Sequence, residues 1–114
     1  MDSVYSLDKY NVFDTKLKGE FMLICKNVIV NGRRTSMRLD RETWMSLADI
    51  CLREKVTIHE LCSKIDMIKG HSGLSSATRL FVLTYFRYIL SKYEKDSFTF
   101  PREYNPELVF QKVS

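Results

Sequence analysis

Six residues carry the most chemistry for their length. From Arg34 to Leu39 the chain alternates, with Arg34, Ser36 and Arg38 on one side and Thr35, Met37 and Leu39 on the other. A period of two is the signature of a β-strand with one polar and one apolar face. Arginine can contact guanine O6 and N7 with two N–H groups at once, and a serine hydroxyl can donate or accept at several base edges. Each well-placed bidentate contact discriminates by about 1–3 kcal/mol. A two-stranded ribbon fits the major groove of DNA, so Arg34, Ser36 and Arg38 are the candidate base-contacting residues. The competing reading is that these side chains simply solvate an exposed sheet edge. The elements around the strand decide between the two.

Phosphates call for a separate clamp. The chain offers Thr57-Ile58-His59-Glu60, a pattern in which a helix starts with free N–H groups near Thr57 and Ile58. Arg33 and Lys55 lie close to the strand and to this helix start in sequence, and Lys26 and Arg53 are further cations within reach. Thr57, Ile58, Arg33 and Lys55 are therefore the candidate phosphate-contacting residues.

Other chemistries fit less well. His59 and Cys62 stand at i, i+3, but zinc takes three or four ligands and only Cys51 and His71 are available to complete a set. Cys62 also lies on the apolar side of its helix, where a buried structural thiol is the simpler reading. No nucleophile has an evident base other than this pair. The four glycines (19, 32, 70 and 73) are scattered and form no phosphate-binding loop. No metal, no cofactor and no enzymatic activity are expected. Phe81, Tyr85, Phe86 and Tyr93 recur at helical spacing, which favours core packing over stacking on single-stranded bases.

The elements that must position the strand can be read in order. Phe21 to Val30 has β-rich character, and Asn31-Gly32 signals a turn. After the strand, Asp40 suits a helix N-cap. Trp44, Leu47, Ala48, Cys51 and Leu52 then form one stripe of a helix over about 41–54. The Thr57/Glu60 capping box opens a second helix over about 58–69, with Ile58, Leu61, Cys62, Ile65 and Ile68 as its stripe and Gly70 as its stop. Ser75 or Ser76 caps a third helix over about 76–93. Its apolar residues cover more than one face, so it should pack against both the core and a second subunit.

Composition agrees with a folded domain. The chain has 114 residues, 45% of them hydrophobic and 28% charged, which is ordinary for one globular unit. Its net charge of +4 is unevenly spread. Residues 26–95 hold thirteen Lys and Arg against seven acids, while both flanks are slightly acidic. A basic centre suits an acidic partner such as double-stranded DNA. No apolar run approaches the roughly 20 residues of a membrane span, and the charged N-terminus does not read as a secretory signal. Three cysteines without framework spacing imply reduced thiols and a cytoplasmic location.

A lone strand has no ladder partner for its backbone groups. Pairing with its twin in a second chain would supply one, giving an intermolecular antiparallel ribbon above intertwined helices. The expected fold is mainly α with one short strand (about 34–39), as an intertwined homodimer. An arm over 1–25 precedes the domain at 26–93, and a tail over 94–114 follows, with Phe98, Phe100, Tyr104 and Phe110 available for docking.

The residues Arg34-Thr35-Ser36-Met37-Arg38-Leu39-Asp40, with Trp44 and Leu47, resemble those of a family of small bacterial proteins with a ribbon-helix-helix domain. Ile58 to Asp66 and Leu74 to Leu83 extend the likeness, which runs from about Val28 to Leu90. The resemblance implies a homodimer that binds DNA, with Arg34, Ser36 and Arg38 facing the groove and the third helix as an addition to the basic domain. Two positions depart from the pattern: Lys55 stands where glycine is usual between the helices, and Thr43 where an aromatic precedes the Trp. The expected function is transcriptional regulation, with further assembly of dimers on DNA open. The alternative is a dimeric protein-interaction module, antitoxin-like or a scaffold, whose arm or tail holds a protein partner.

Overall fold

A computed structural model describes residues 22–94 and 105–110. Its elements are β1 (Leu23–Val30), β2 (Arg33–Asp40), α1 (Arg41–Glu54), α2 (Ile58–Ile68), α3 (Leu74–Tyr93) and a short 3-10 turn at Pro106–Phe110. The two strands form an antiparallel hairpin in the register Val30↔Arg33 to Leu23↔Asp40. Asn31 and Gly32 make the two-residue turn, both at positive φ (49° and 83°). That is the backbone a tight hairpin requires, and Asn-Gly is the pair that adopts it most readily.

The ribbon is therefore built within one chain. A two-residue turn brings the strands together at far less entropic cost than recruiting a second molecule. The reasoning that a lone strand demands a twin loses its premise, because β1 supplies the ladder. Leu23, Ile24 and Cys25 belong to this strand and not to a separate arm. The rest of the expected arm, residues 1–21, lies outside the described residues, as do Phe98, Phe100 and Tyr104 of the tail.

The hairpin buries Val28, Val30, Met37 and Leu39 against the helices. Below them lie Trp44, Leu47, Ile50 and Cys51 from α1, Leu61, Cys62 and Ile65 from α2, and Phe81 and Tyr85 from α3. The stripe of α1 is rotated from the one its sequence suggests. Ile50 is fully buried, whereas Leu52 is 81% exposed and Ala48 faces out. Apolar residues flank the Trp44–Leu47–Cys51 line on both sides, and only the Ile50 flank is covered. Ile68, at the last turn of α2, is likewise exposed.

Helix ends follow their local chemistry. The Asp40 carboxylate accepts from the Thr43 amide (2.9 Å) and hydroxyl (2.7 Å), capping α1. Lys55 ends that helix in the left-handed region (φ 59°, ψ 46°) with its N–H on the Cys51 carbonyl. For a residue with a Cβ that conformation costs about 1–2 kcal/mol. Gly70 follows α2 at φ 62°, where glycine carries no such penalty. The third helix begins at Leu74, two residues before the expected start at about 76, with Gly73 rather than Ser75 or Ser76 as an N-cap lacking a side-chain hydrogen bond.

The third helix has a definite task. Its Thr78 hydroxyl meets Met37 Sδ at 3.5 Å, and its Arg79 guanidinium donates to the Arg38 carbonyl at 3.1 Å. Arg79 Nε also lies 3.9 Å from the Asp40 carboxylate. Further along, the buried Tyr85 hydroxyl donates to the Glu54 carboxylate, and Arg53 Nη1 reaches both groups. So α3 holds β2 at one end and the end of α1 at the other. Within the tail, Phe110 packs against Phe81 and Tyr85 with ring centroids 6.0 Å apart in each case, and Lys92 pairs with Glu107. No described helix is long and apolar enough to cross a membrane.

Candidate nucleic-acid interface

The alternation in β2 gives its two faces opposite fates. Met37 and Leu39 are 1% and 0% exposed, while Arg34, Ser36 and Arg38 are all exposed. These three project from the outer face of the ribbon, as their spacing predicts. Arg33 leaves from the other face, at the hairpin tip, where it too is exposed.

The register adds a second row that the sequence reading omitted. Paired residues share a face, so Ile29 stands beside Arg34, Asn27 beside Ser36, and Cys25 beside Arg38. The Ser36 hydroxyl donates to Asn27 Oδ1 at 2.8 Å. The signal was present in the sequence: an Asn-Gly turn of two residues places 27 opposite 36 by counting alone.

The hairpin is fixed to α2 along the outer edge of β1. The Ile29 amide donates to His59 Nδ1 (2.9 Å), and the Asn31 amide donates to Ser63 Oγ (2.9 Å). The Asn31 side chain reaches Asp66 Oδ2 at 3.1 Å. These bonds satisfy an edge that would otherwise be open. They also fix the His59 ring: with its Nδ1 lone pair engaged, the proton sits on Nε2. His59 then joins Asn27, Ile29, Gly32 and Arg34 around an open concavity of about 440 Å³.

The start of α2 is built as its sequence indicates. Thr57 Oγ1 accepts from the Glu60 amide (3.1 Å), and Glu60 Oε1 accepts from the Thr57 amide (3.0 Å). One consequence differs from expectation. The Thr57 N–H is engaged by Glu60, so the first-turn amides left for an anion are those of Ile58 and His59. Lys55 is exposed two residues before this cap. Lys26 lies with its Nζ 5.2 Å from the centre of the Trp44 ring. Arg53 is tied into the Tyr85–Glu54 network.

The groups weighed for other chemistry are dispersed. Cys62 is fully buried, and burial together with the nearby Cys51 pushes its thiol up to about 11. His59 stands on the ribbon edge, with Nδ1 held by Ile29. No three metal-ligating side chains gather among the described residues. Tyr85 is pushed up to about 12, first by burial and then by its hydrogen bond to Glu54, which suits a structural hydroxyl.

No curated protein and no solved structure matches the chain. A family model for the ribbon-helix-helix domain matches residues 23–86, from the first residue of β1 into α3. That span covers more than half of the sequence and takes in the hairpin, both helices that follow it and part of α3. The chain belongs to the ribbon-helix-helix domain family.

Proposed function

We propose that the protein is a homodimeric transcriptional regulator that inserts its two-stranded ribbon into the major groove of DNA. The observation that carries this reading is the outer face of β2. Arg34, Ser36 and Arg38 are exposed in a row, while the opposite face of the same strand is locked into the core. A rigid strand that presents alternate polar side chains on a two-stranded ribbon has the width and the donors for base-edge contacts. Arg33, Lys55 and the free amides at the start of α2 supply phosphate contacts around it. Three free cysteines accord with a cytoplasmic bacterial protein.

The second copy is assigned to the outer side of α3. Leu80, Leu83 and Leu90 are 63%, 59% and 47% exposed and share one side of the helix. A stripe of leucines left in water is the surface a second subunit would cover. The protein-interaction reading places a partner on the arm or the tail. Phe110, the described aromatic of that tail, is instead engaged with Phe81 and Tyr85.

The test is recovery of sheared genomic DNA by the purified chain at moderate salt, followed by sequencing, beside Arg34→Ala/Arg38→Ala. A recurrent short motif with the wild type, lost in the variant, is expected. Equal recovery of the motif by both proteins would remove base reading from this face.

A further inference from the structure

The hairpin register brings one more base-edge group onto the outer face. The geometry points to Asn27 as a specificity-determining residue, with Ser36 as the residue that positions it. This inference rests on the DNA-binding reading and deepens it.

Asn27 and Ser36 are cross-strand partners at mid-ribbon, both exposed on the outer face. The Ser36 hydroxyl has one hydrogen to donate, and it donates it to Asn27 Oδ1 at 2.8 Å. Ser36 is thereby left as an acceptor, a poor group for reading the acceptor-rich edge of guanine. The donors at this position pass to Asn27. Its Nδ2 carries two N–H groups, and no described residue accepts from them.

The hydroxyl also restrains the amide. Anchored through Oδ1 at 2.8 Å, Asn27 shares one concavity with Arg34. The concavity there is lined by Asn27, Ile29, Gly32, Arg34 and His59. It contains the Asn27 amide, the Arg34 guanidinium and the His59 ring, with the exposed Ile29 side chain of β1 as its apolar surface. A base edge rich in acceptors suits this set: guanine through O6 and N7, thymine through O4 with its methyl group on Ile29, or adenine through N7 with its N6 amino group on the second lone pair of Asn27 Oδ1. Cytosine, which presents an N4 donor to the groove, does not.

The pairing also explains why two rows serve better than one. Arg34 and Arg38 are long and each turns about several bonds. A short amide held by a neighbour is confined in direction before DNA arrives, so less freedom is lost on binding.

The experiment is selection of duplexes from a random library by the full chain, comparing wild type, Asn27→Ala, Asn27→Asp, Ser36→Ala and Arg34→Ala. Thermal melts are run alongside. Wild type should select a base other than cytosine at one position that Asn27→Ala leaves unspecified, with affinity for the wild-type sequence falling about tenfold. Asn27→Asp, an acceptor in the same place, should move the preference at that position to cytosine. Ser36→Ala should blur the same position and no other, which a purely structural hydroxyl would not do. If Asn27→Ala lowers the melting temperature yet selects the wild-type sequence unchanged, the pair merely fastens the hairpin and the inference falls. If Arg34→Ala loses selection while all three Asn27 and Ser36 variants keep it, DNA reading survives without Asn27. If the wild type selects nothing, both readings fall together.

Discussion

The hairpin and the third helix solve opposite problems. Along β2 polar and apolar side chains alternate: Met37 and Leu39 point inward with Val28 and Val30 of β1, while Arg34, Ser36 and Arg38 point outward beside Asn27, and β1 leaves Leu23, Ile24 and Ile29 exposed. In α3 apolar residues occupy nearly every turn and side, yet only Thr78, Phe81 and Tyr85 are fully buried. The hairpin has a face that needs no protein to cover it. The third helix has one that does. A strand's strict alternation divides polar from apolar cleanly, and what remains outside is a surface with donors. A helix that is apolar all round leaves an uncovered hydrophobic stripe, which suits another copy of the chain far better than a nucleic acid.

The sharpest way to break this comparison is to exchange the fates of neighbouring residues on β2. Leu39→Ala, at a fully buried position, should cost about 2–5 kcal/mol of stability, read by urea unfolding. Arg38→Ala, one residue away and exposed, should change stability by no more than about 0.5 kcal/mol. Similar losses at the two positions would mean that the outer face is packed against something, which contradicts its role as a free reading surface.

A smaller effect concerns the start of α2, which supports the ribbon through His59 and Ser63. Thr57→Ala removes the hydroxyl that caps the Glu60 amide and should cost about 1 kcal/mol. Hydrogen exchange at the Ile29 and Asn31 amides should quicken with it. Unchanged exchange there would show that the hairpin edge does not depend on the helix start.

The smallest effect is one of pH at the junction of β2 and α1. Burial raises the Asp40 carboxyl, but the hydrogen bonds from Thr43 and the Arg79 charge outweigh it, and the net position is below the ordinary 3.8. A folded-state value below the unfolded one contributes stability above about pH 4, and that contribution is lost as pH falls through the lower folded value. Asn caps helices as well as Asp does. Asp40→Asn should therefore retain α1 while flattening this part of the acid unfolding curve. An unaltered acid limb would assign the effect to other carboxylates.

Much of the site was legible because its determinants are local. The Asp40 cap, the Thr57/Glu60 box and the outward row of β2 each follow from a few adjacent residues. What was not legible depends on which surface covers which. Ile50 rather than Ala48 and Leu52 completes the α1 stripe, because the packed fold covers the Ile50 flank and leaves the other open. The hairpin itself was within reach, since the Asn-Gly turn and both flanking strands are plain in the sequence. Treating β2 as solitary concealed β1, and with it Asn27 and the edge held by His59. The added helix was recognised without a purpose. Only the packed structure shows Thr78 and Arg79 gripping β2 while Tyr85 grips α1.

The most direct test of the account is an amide and side-chain NMR titration of the ¹⁵N-labelled full chain with duplex DNA at moderate salt. The account predicts that shifts concentrate on Asn27, Arg34, Ser36 and Arg38 and on the amides of Ile58 and His59, with Leu80, Leu83 and Leu90 unmoved. Shifts confined to the outer side of α3, with the hairpin silent, would contradict it.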